Sequence, residues 1–209
     1  MINVTYAITV CNELVEITNL LNFLHPRIGN EDEILIQYDS ESVTKEVKDY
    51  LNIISQLNRQ TKLIEFPLNK DFASFKNNLK NHANGIFIFQ IDADEIPSEY
   101  LVENIHSFLE YNKDVDLFFV PRINTVNGLT PEHIKKWGWN VNEKGWVNFP
   151  DYQTRLYRRT SEIEWQGKVH ERIAGYNTLS VIPAEEEYCL YHHKQIERQE
   201  KQNALYDTI

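Results

Sequence analysis

Two aspartates separated by one residue, Asp92 and Asp94, follow an apolar run in the middle of the chain. Along an extended segment alternate side chains point the same way, so both carboxylates face one direction where the run ends. Adjacent carboxylates repel each other unless a cation lies between them. Oxygen ligands of this kind suit Mg²⁺ or Mn²⁺, which also bridge diphosphate oxygens. The motif therefore predicts a metal and diphosphate site. The alternative is a solvated acidic turn that caps a helix starting near Ser98.

The residues before this motif alternate between strand-like and helix-like patterns. Four short apolar runs predict strands, and three stretches with apolar residues at helical spacing predict the helices between them. The strands are expected at 4–10, 34–38, 63–66 and 86–91. Repeated strand–helix units indicate an α/β fold with a mixed, mostly parallel central sheet flanked by helices. Because ligands bind beyond the carboxyl ends of such strands, residues 11–13, 38–40 and 92–94 are expected on one edge.

Length and charge restrict the class of protein. The 209 residues suit one domain, and 21 Lys and Arg against 31 Asp and Glu give a formal charge of −10. Nucleic-acid-binding proteins carry a basic face, so this balance argues against a nucleic-acid partner. No run of about 18 apolar residues predicts a transmembrane segment. No signal-peptide pattern precedes the first strand, and we expect a cytoplasmic protein, with peripheral contact at a membrane as the alternative.

The second half of the chain has a weaker pattern. Residues 122–152 are predicted to form a long irregular segment with three tryptophans, and such segments inside compact domains are usually functional. Strands are expected at 154–157 and 188–191, and a polar helix after Lys194. The charged residues of that helix are predicted to form a solvated face: Glu197, Arg198, Glu200 and Lys201.

Several short motifs occur in one order along the chain. They are Thr9 to Glu13, Asp39-Ser40, Asp71-Phe72-Ala73 with Lys76-Asn77, Ile91 to Glu95, Gln153 to Arg159, Gly167 to Glu171, and Tyr191 to Lys194. In this combination the chain resembles the family 2 glycosyltransferases over nearly its whole length, nearest the branch with lipopolysaccharide-core β-glucosyltransferase-like members. The resemblance implies a single GT-A domain, with residues 1–97 as the nucleotide-sugar-binding half and residues 98–209 as the acceptor and catalytic half.

The resemblance implies roles for residues on the donor side. Thr9, Asn12 and Glu13, together with Asp39, would hold the uracil and ribose of a UDP-sugar. Lys76 stands where the family usually has arginine before asparagine. A lysine meets phosphate as a point charge and lacks the bidentate fork of a guanidinium.

The aspartates of the central motif receive different roles from the resemblance. Asp92 would bind ribose hydroxyls or a metal-bound water, whereas Asp94 would ligate Mn²⁺ or Mg²⁺ directly. GT-A enzymes often recruit a late histidine, and His192 is expected to complete the metal site. The alternatives are that His193 completes the metal site instead, or that His192 and His193 are ordinary surface or packing residues.

An inverting transfer needs a general base that removes the proton of the acceptor hydroxyl. Glu171 is the predicted base, because its motif stands where the family places its catalytic carboxylate, and Asp151 is the second candidate. His170 is expected among the acceptor-binding groups. In the alternative interpretation, His170 and Glu171 form a structural hydrogen-bonded pair that braces the acceptor loop.

The tryptophans Trp137, Trp139 and Trp146 are the remaining candidates for acceptor binding. Aromatic faces stack on the C–H surfaces of sugars, although the three side chains could equally form a local cluster that pins the loop. The predicted activity is inverting, metal-dependent transfer from a UDP-sugar to a saccharide, glycolipid or other hydroxyl acceptor.

Two other functions fit parts of the pattern. The first is a non-catalytic relative that binds a nucleotide or a sugar. The second is a phosphohydrolase that uses Asp-X-Asp. Such a motif normally follows the first strand and continues into Thr or Val, whereas here it follows the fourth strand and continues into Glu95.

Overall fold

The first half of the chain alternates strands and helices. A computed structural model describes residues 2–200. Its first seven elements are β1 (Val4–Val10), α1 (Leu14–Leu24), β2 (Glu33–Asp39), α2 (Lys45–Leu57), β3 (Thr61–Phe66), α3 (Phe72–His82) and β4 (Phe87–Asp92). The predicted strand–helix units are therefore confirmed. Asp92 is the last residue of β4, so the Asp-X-Asp motif begins where this strand ends.

The second half contains more regular structure than the sequence indicated. Its elements are β5 (Glu95–Pro97), α4 (Glu99–Tyr111), β6 (Leu117–Asn127), α5 (Pro131–Trp137), β7 (Val147–Arg158), β8 (Glu164–Gln166), β9 (Arg172–Ala174), β10 (Leu179–Val181), a 3₁₀ turn (Glu186–Tyr188) and β11 (Leu190–Gln195). Residues 196–200 are helical. The prediction that 122–152 is irregular throughout was wrong, because β6, α5 and β7 occupy much of it. In β6 the continuous apolar run ends at Val120, and the prediction did not extend the strand into the following residues, where Arg122 and Asn124 alternate with Pro121 and Ile123.

The central sheet is mixed and mostly parallel, as predicted. Its order is β3-β2-β1-β4-β7-β6-β11-β5, and β10 also pairs with β6. The first four strands of this order are parallel, whereas β7 runs antiparallel to both β4 and β6. Strand β4 thus lies in the interior of the sheet, where the parallel half meets the mixed half. Strands β8 and β9 form a separate hairpin.

Apolar residues cover both faces of the sheet. On one face α1, α2 and α4 pack their buried side chains, such as Ile17, Leu51 and Ile105, against the strands. On the other face α3 packs with the β8–β9 hairpin, where Leu79 and Trp165 are buried. Burial on both faces explains why the parallel strands read as continuous apolar runs. Among the described residues, no helix is long and apolar enough to cross a bilayer.

The β8–β9 hairpin is fixed to α3 by one amide side chain. Asn77 Nδ2 donates to the Trp165 carbonyl at 2.8 Å, and the Trp165 N–H donates to Asn77 Oδ1 at 2.9 Å. The loop between these two strands carries residues 167–171. The hairpin therefore determines where Glu171 lies relative to α3.

We predict that Gly175→Ala destabilises this hairpin. Gly175 has φ +83°, and an added Cβ would lie 1.8 Å from the Glu162 carbonyl oxygen. Gly145→Ala is the matched control, since Gly145 has φ +77° and nothing within 4 Å of its added Cβ. Both variants incur the penalty for a positive φ, and only Gly175→Ala adds the backbone clash. Urea unfolding should show an additional loss of about 1–3 kcal/mol for Gly175→Ala. Equal losses would contradict the close approach.

Candidate active site

The carboxyl ends of β1, β2 and β4 meet at one edge of the sheet, as the sequence predicted. Thr9 is the register partner of both Gln37 and Asp92. The Thr9 hydroxyl donates to Asp92 Oδ1 at 3.2 Å. The side chain of Asp39 is buried at the same edge, and its Oδ1 accepts the Leu68 N–H at 3.0 Å. This edge can therefore offer hydroxyl, carboxylate and backbone groups to a ligand.

The residues after β1 form a turn organised by one carboxylate. Glu13 Oε2 accepts the backbone N–H of Cys11 at 2.8 Å and that of Asn12 at 3.0 Å. The Asn12 residue is exposed, and Glu13 is partly buried. Both predicted donor-binding residues thus lie beside the aspartate motif, and Glu13 has a structural role in the turn as well.

Asp92 is held by the guanidinium of Arg155, for which the sequence predicted no role. Arg155 Nη2 on β7 donates to Asp92 Oδ2 and, at 2.7 Å, to Glu95 Oε1. Burial alone raises the pKa of Asp92, but the charges of Arg155 and Lys76 outweigh it and hold that pKa well below its ordinary value. Asp92 is therefore a carboxylate at neutral pH, with one oxygen on Arg155 and the other on Thr9.

Glu95 joins this pair to a second arginine. Its Oε1 also accepts Arg122 Nη1 at 2.7 Å, and the Glu95 residue is 0% exposed. Arg122 donates from Nε at 2.9 Å and from Nη2 at 2.6 Å to Asp151 Oδ2. The result is an alternating chain of five charged side chains: Asp92, Arg155, Glu95, Arg122 and Asp151. We call it the charge chain. It connects the end of β4 and the start of β5 to residues within β6 and β7.

Asp151, the second candidate for the base, is held by several donors. Besides Arg122, the Asn124 amide donates to Oδ2 at 2.8 Å, and the Gln153 amide donates to Oδ1 at 2.8 Å. Burial raises the pKa of Asp151, but the Arg122 charge and the Asn124 hydrogen bond bring that pKa below its ordinary value. A carboxylate stabilised in this way is a weak proton acceptor.

Asp94 and His192 face each other beside the charge chain. His192 Nε2 lies 3.4 Å from Asp94 Oδ2, and His192 Nδ1 lies 2.8 Å from Asn124 Oδ1. If Nδ1 donates to Asn124, the lone pair of Nε2 points toward Asp94, the arrangement of a metal-ligating histidine oriented by an outer partner. Burial raises the pKa of Asp94, but a hydrogen bond donated by Nε2 of the doubly protonated His192 ring outweighs it and lowers that pKa; a bound cation would take the place of that proton.

This donor set fits Mg²⁺ or Mn²⁺ that is shared with a substrate. Within residues 2–200, no three His, Cys, Asp or Glu side chains converge to form a metal cage. Mg²⁺ is usually bound by one or two carboxylates together with substrate phosphates and water. One carboxylate and one imidazole, Asp94 and His192, are therefore sufficient as protein ligands. His193 lies apart from this pair, since its Nδ1 contacts the Thr125 hydroxyl at 2.5 Å.

Glu171 reaches the site through an ion pair with α3. Lys76 Nζ donates to Glu171 Oε1 at 2.6 Å and lies 4.3 Å from the centre of the Trp165 ring. Both side chains are largely buried, with 9% of Lys76 and 16% of Glu171 exposed. His170 is exposed and adopts φ +56°, which turns the chain immediately before Glu171. Lys76 thus pairs with the predicted base, and its charge also lowers the pKa of Asp92.

The three tryptophans lie in two groups and are partly exposed. Trp137 stacks on His133 with ring centres 5.0 Å apart and contacts Trp139 at 4.7 Å. Trp146 packs edge-on against Phe149 at 4.8 Å. These contacts form local clusters and leave part of each ring accessible, so the structure is compatible with both predicted roles.

In the helical residues after Lys194, the described members of the predicted solvated face, Glu197, Arg198 and Glu200, are exposed. Arg198 contacts Asp94, Glu13 and Glu16 across the aspartate edge. Lys201, which was predicted to belong to the same face, lies outside the described residues.

The sequence matches the family model for glycosyl transferase family 2 over residues 5–186. The chain belongs to glycosyl transferase family 2. Comparison with curated protein sequences finds no match. The first of the similar solved structures is Staphylococcus aureus TarS 1–349, with a TM-score of 0.64 and 16% identity over 92% of this chain and 60% of that one. The chain therefore spans less than two thirds of TarS 1–349.

Two further similar structures carry ligands. TarS 1–349 in complex with UDP-GlcNAc has a TM-score of 0.64 and 18% identity over 93% of this chain and 59% of that one. The mannosyltransferase PcManGT from Pyrobaculum calidifontis, in complex with GDP-Man and Mn²⁺, has a TM-score of 0.50 and 16% identity over 75% of this chain and 44% of that one. At these identities the likeness shows a shared fold, which confirms the GT-A architecture.

The two arginines of the charge chain in this family 2 member, Arg122 and Arg155, were given no role by the sequence-based predictions. On β7, Arg155 directly precedes the buried Leu156 and Tyr157, and a charged residue beside buried ones signals a buried partner. The sequence therefore indicates that Arg155 needs a partner, but it does not identify that partner.

A cavity of about 190 Å³ beside α4, lined by residues that include Tyr100 and Tyr188, contains none of the site residues.

We predict that Glu95→Gln strongly destabilises this family 2 protein. The change removes the charge between two buried guanidiniums, and breaking one partner of a buried pair costs about 3 kcal/mol or more. Glu99→Gln is the control, because Glu99 makes an ion pair with Arg27 and its side chain is 59% exposed. That variant should lose about 1 kcal/mol or less in urea unfolding. Comparable losses would show that the charge chain does not stabilise the fold.

Proposed function

We propose that this chain catalyses the inverting, metal-dependent transfer of a sugar from a UDP-sugar to a hydroxyl acceptor. The observation that carries the proposal is the pairing of Asp94 with His192 Nε2, 3.4 Å apart, beside the end of β4. Ligands bind at this edge of open α/β sheets. Membership in glycosyl transferase family 2 supports the reaction class. The UDP-GlcNAc complex of TarS supports a uridine nucleotide as donor.

The proposed division of labour follows the two halves of the chain. Residues 1–97 form the nucleotide-sugar-binding half, in which Thr9, Asn12, Glu13 and Asp39 hold the uracil and ribose. Asp92 completes this part by accepting ribose hydroxyls or a metal-bound water. Its ionised state, maintained by Arg155, suits it to accept hydrogen bonds.

Asp94 and His192 would bind the divalent cation, Mn²⁺ or Mg²⁺. A cation held there would supply positive charge that offsets the negative charge building up on the leaving UDP. Asn124 orients the His192 ring through its contact with Nδ1, so that Nε2 would face the cation. Lys76 contributes a second positive charge near Asp92.

Residues 98–209 form the acceptor and catalytic half, with Glu171 as the base. Its carboxylate takes the proton of the acceptor hydroxyl as that oxygen attacks the anomeric carbon, and the bond to the diphosphate oxygen breaks. Within residues 2–200, Glu171 accepts a hydrogen bond from Lys76, whereas Asp151 is held by three side chains and its pKa is lowered. This difference favours Glu171 over Asp151.

The acceptor proposed for this site is a saccharide or a glycolipid. Trp137, Trp139 and Trp146 would stack on its sugar rings, and His170 would contact it next to the base. The motifs favour the branch of the family with lipopolysaccharide-core β-glucosyltransferase-like members. We accordingly propose that the chain acts in the cytoplasm, or at the membrane surface facing it.

The donor site is tested by thermal melting with nucleotides and metal. UDP with Mn²⁺ should raise the melting temperature more than either alone, because the cation links the diphosphate to Asp94. Asp94→Asn should lose the Mn²⁺-dependent part of the shift and abolish sugar transfer, whereas Asp49→Asn on the exposed face of α2 should behave as wild type.

Three outcomes of these measurements distinguish the alternatives. Metal-dependent UDP binding without transfer or hydrolysis of any UDP-sugar would indicate the non-catalytic relative. Phosphatase activity on a generic ester, with no effect of UDP on melting, would indicate the phosphohydrolase. If Asp94→Asn transferred sugar at the wild-type rate, Asp94 would not be the ligand of a required metal ion.

The base is tested by comparing Glu171→Gln with Asp151→Asn. Glu171→Gln keeps the shape of the side chain but removes the proton acceptor, so kcat should fall about 10²- to 10⁴-fold. The affinity for UDP with Mn²⁺, measured by calorimetry, should stay within a few-fold of wild type. If Asp151→Asn instead loses kcat while Glu171→Gln retains it, Asp151 is the base.

A further inference from the structure

Residues 196–200 place one arginine directly over the aspartate edge. Arg198 Nη2 lies 3.4 Å from Asp94 Oδ2 and 3.0 Å from Glu13 Oε1, and Nη1 lies 3.4 Å from Glu16 Oε1. One guanidinium is thus shared among three carboxylates from two parts of the chain. Charge balance explains the contact, since these carboxylates would otherwise repel one another.

The guanidinium occupies the neighbourhood in which the divalent cation is proposed. The Asp94 oxygen that Arg198 contacts, Oδ2, is the same oxygen that lies 3.4 Å from His192 Nε2. Two cations on one carboxylate oxygen repel each other strongly at such distances. Arg198 and a metal ion therefore compete for Asp94.

The backbone of this segment is anchored independently of Arg198. Lys194 Nζ donates to Gln199 Oε1 at 3.1 Å, and the Gln199 residue is buried. Glu200 lies 3.3 Å from His133 Nε2, whose ring stacks on Trp137. In contrast, 44% of the Arg198 side chain is exposed. A long side chain on an anchored backbone can change partners without moving the segment.

We propose that Arg198 is a donor-binding residue that exchanges partners. Without ligands it neutralises Asp94, and with a divalent cation and a nucleoside diphosphate bound it turns to the diphosphate oxygens. The planar guanidinium fork matches two phosphate oxygens, which is the feature that Lys76 lacks. This inference rests on the proposed function, because it requires the diphosphate to lie at Asp94.

Partner exchange couples the binding of metal and nucleotide. The diphosphate draws Arg198 away from Asp94, so nucleotide strengthens metal binding by removing a competing cation. By linkage, the metal strengthens nucleotide binding by the same factor. A purely structural role for Arg198 in holding residues 196–200 predicts no effect on metal affinity in the absence of nucleotide.

Arg198→Gln tests the exchange through two affinities that should change in opposite directions. Without nucleotide, removal of the competing charge should tighten Mn²⁺ binding about two- to fivefold. At saturating Mn²⁺, loss of the phosphate contact should weaken UDP binding about tenfold. Calorimetry measures both constants. Arg59→Gln, the same charge change at an exposed residue before β3, is the matched control and should alter neither.

Arg198→Lys provides a second variant that retains the charge. Because lysine keeps the positive charge, this variant should bind Mn²⁺ as wild type does. Because lysine lacks the planar guanidinium that can contact two phosphate oxygens, the variant should bind UDP with an intermediate affinity. The inference is overturned if wild type shows Mn²⁺-dependent UDP binding but Arg198→Gln has unchanged UDP affinity, or binds Mn²⁺ less tightly. If wild type itself shows no joint binding of UDP and Mn²⁺, the proposed function fails instead.

Discussion

The buried charge chain from Asp92 to Asp151 is the constraint on which the site depends. Charged groups inside a protein are tolerated only when they are paired and hydrogen-bonded, and Glu95, with no exposed surface, has an arginine on either side. Each member is fixed by the next, so β4, β5, β6 and β7 take one relative position around these residues. The Asp-X-Asp motif is consequently presented by a rigid edge rather than by a loose turn.

Around this chain, separate parts of the polypeptide each supply one group. Asn77 pins the β8–β9 hairpin to α3 and so brings Glu171 to Lys76. Strand β11 brings His192 to Asp94, and the helical residues that follow bring Arg198 to the same carboxylate. Charges of both signs therefore meet at one edge of a protein with a formal charge of −10, and each of these cations is paired with a carboxylate. This alternation of charges differs from the extended basic face of a nucleic-acid-binding protein.

The expectations that held were those that depend on local sequence. The first four strands and three helices follow from apolar periodicity over a few residues, and parallel pairing then places residues 11–13 beside Asp92. The second half was harder to predict. Strand β6 has Arg122 and Asn124 among its apolar residues because that strand borders a polar site rather than solvent. Periodicity alone cannot separate these two environments.

By itself, the sequence determined the fold class, the family and the edge on which the chemistry is expected, because these follow from short-range patterns and ordered motifs. Only the tertiary structure decided which charges meet. Arg155 and Glu95 are 60 residues apart, Lys76 and Glu171 are 95 apart, and Arg198 and Glu13 are 185 apart. Each of these contacts depends on strand order, register and helix packing. A charged residue in a sequence signals the need for a partner, and the folded chain alone determines which partner lies within hydrogen-bonding distance.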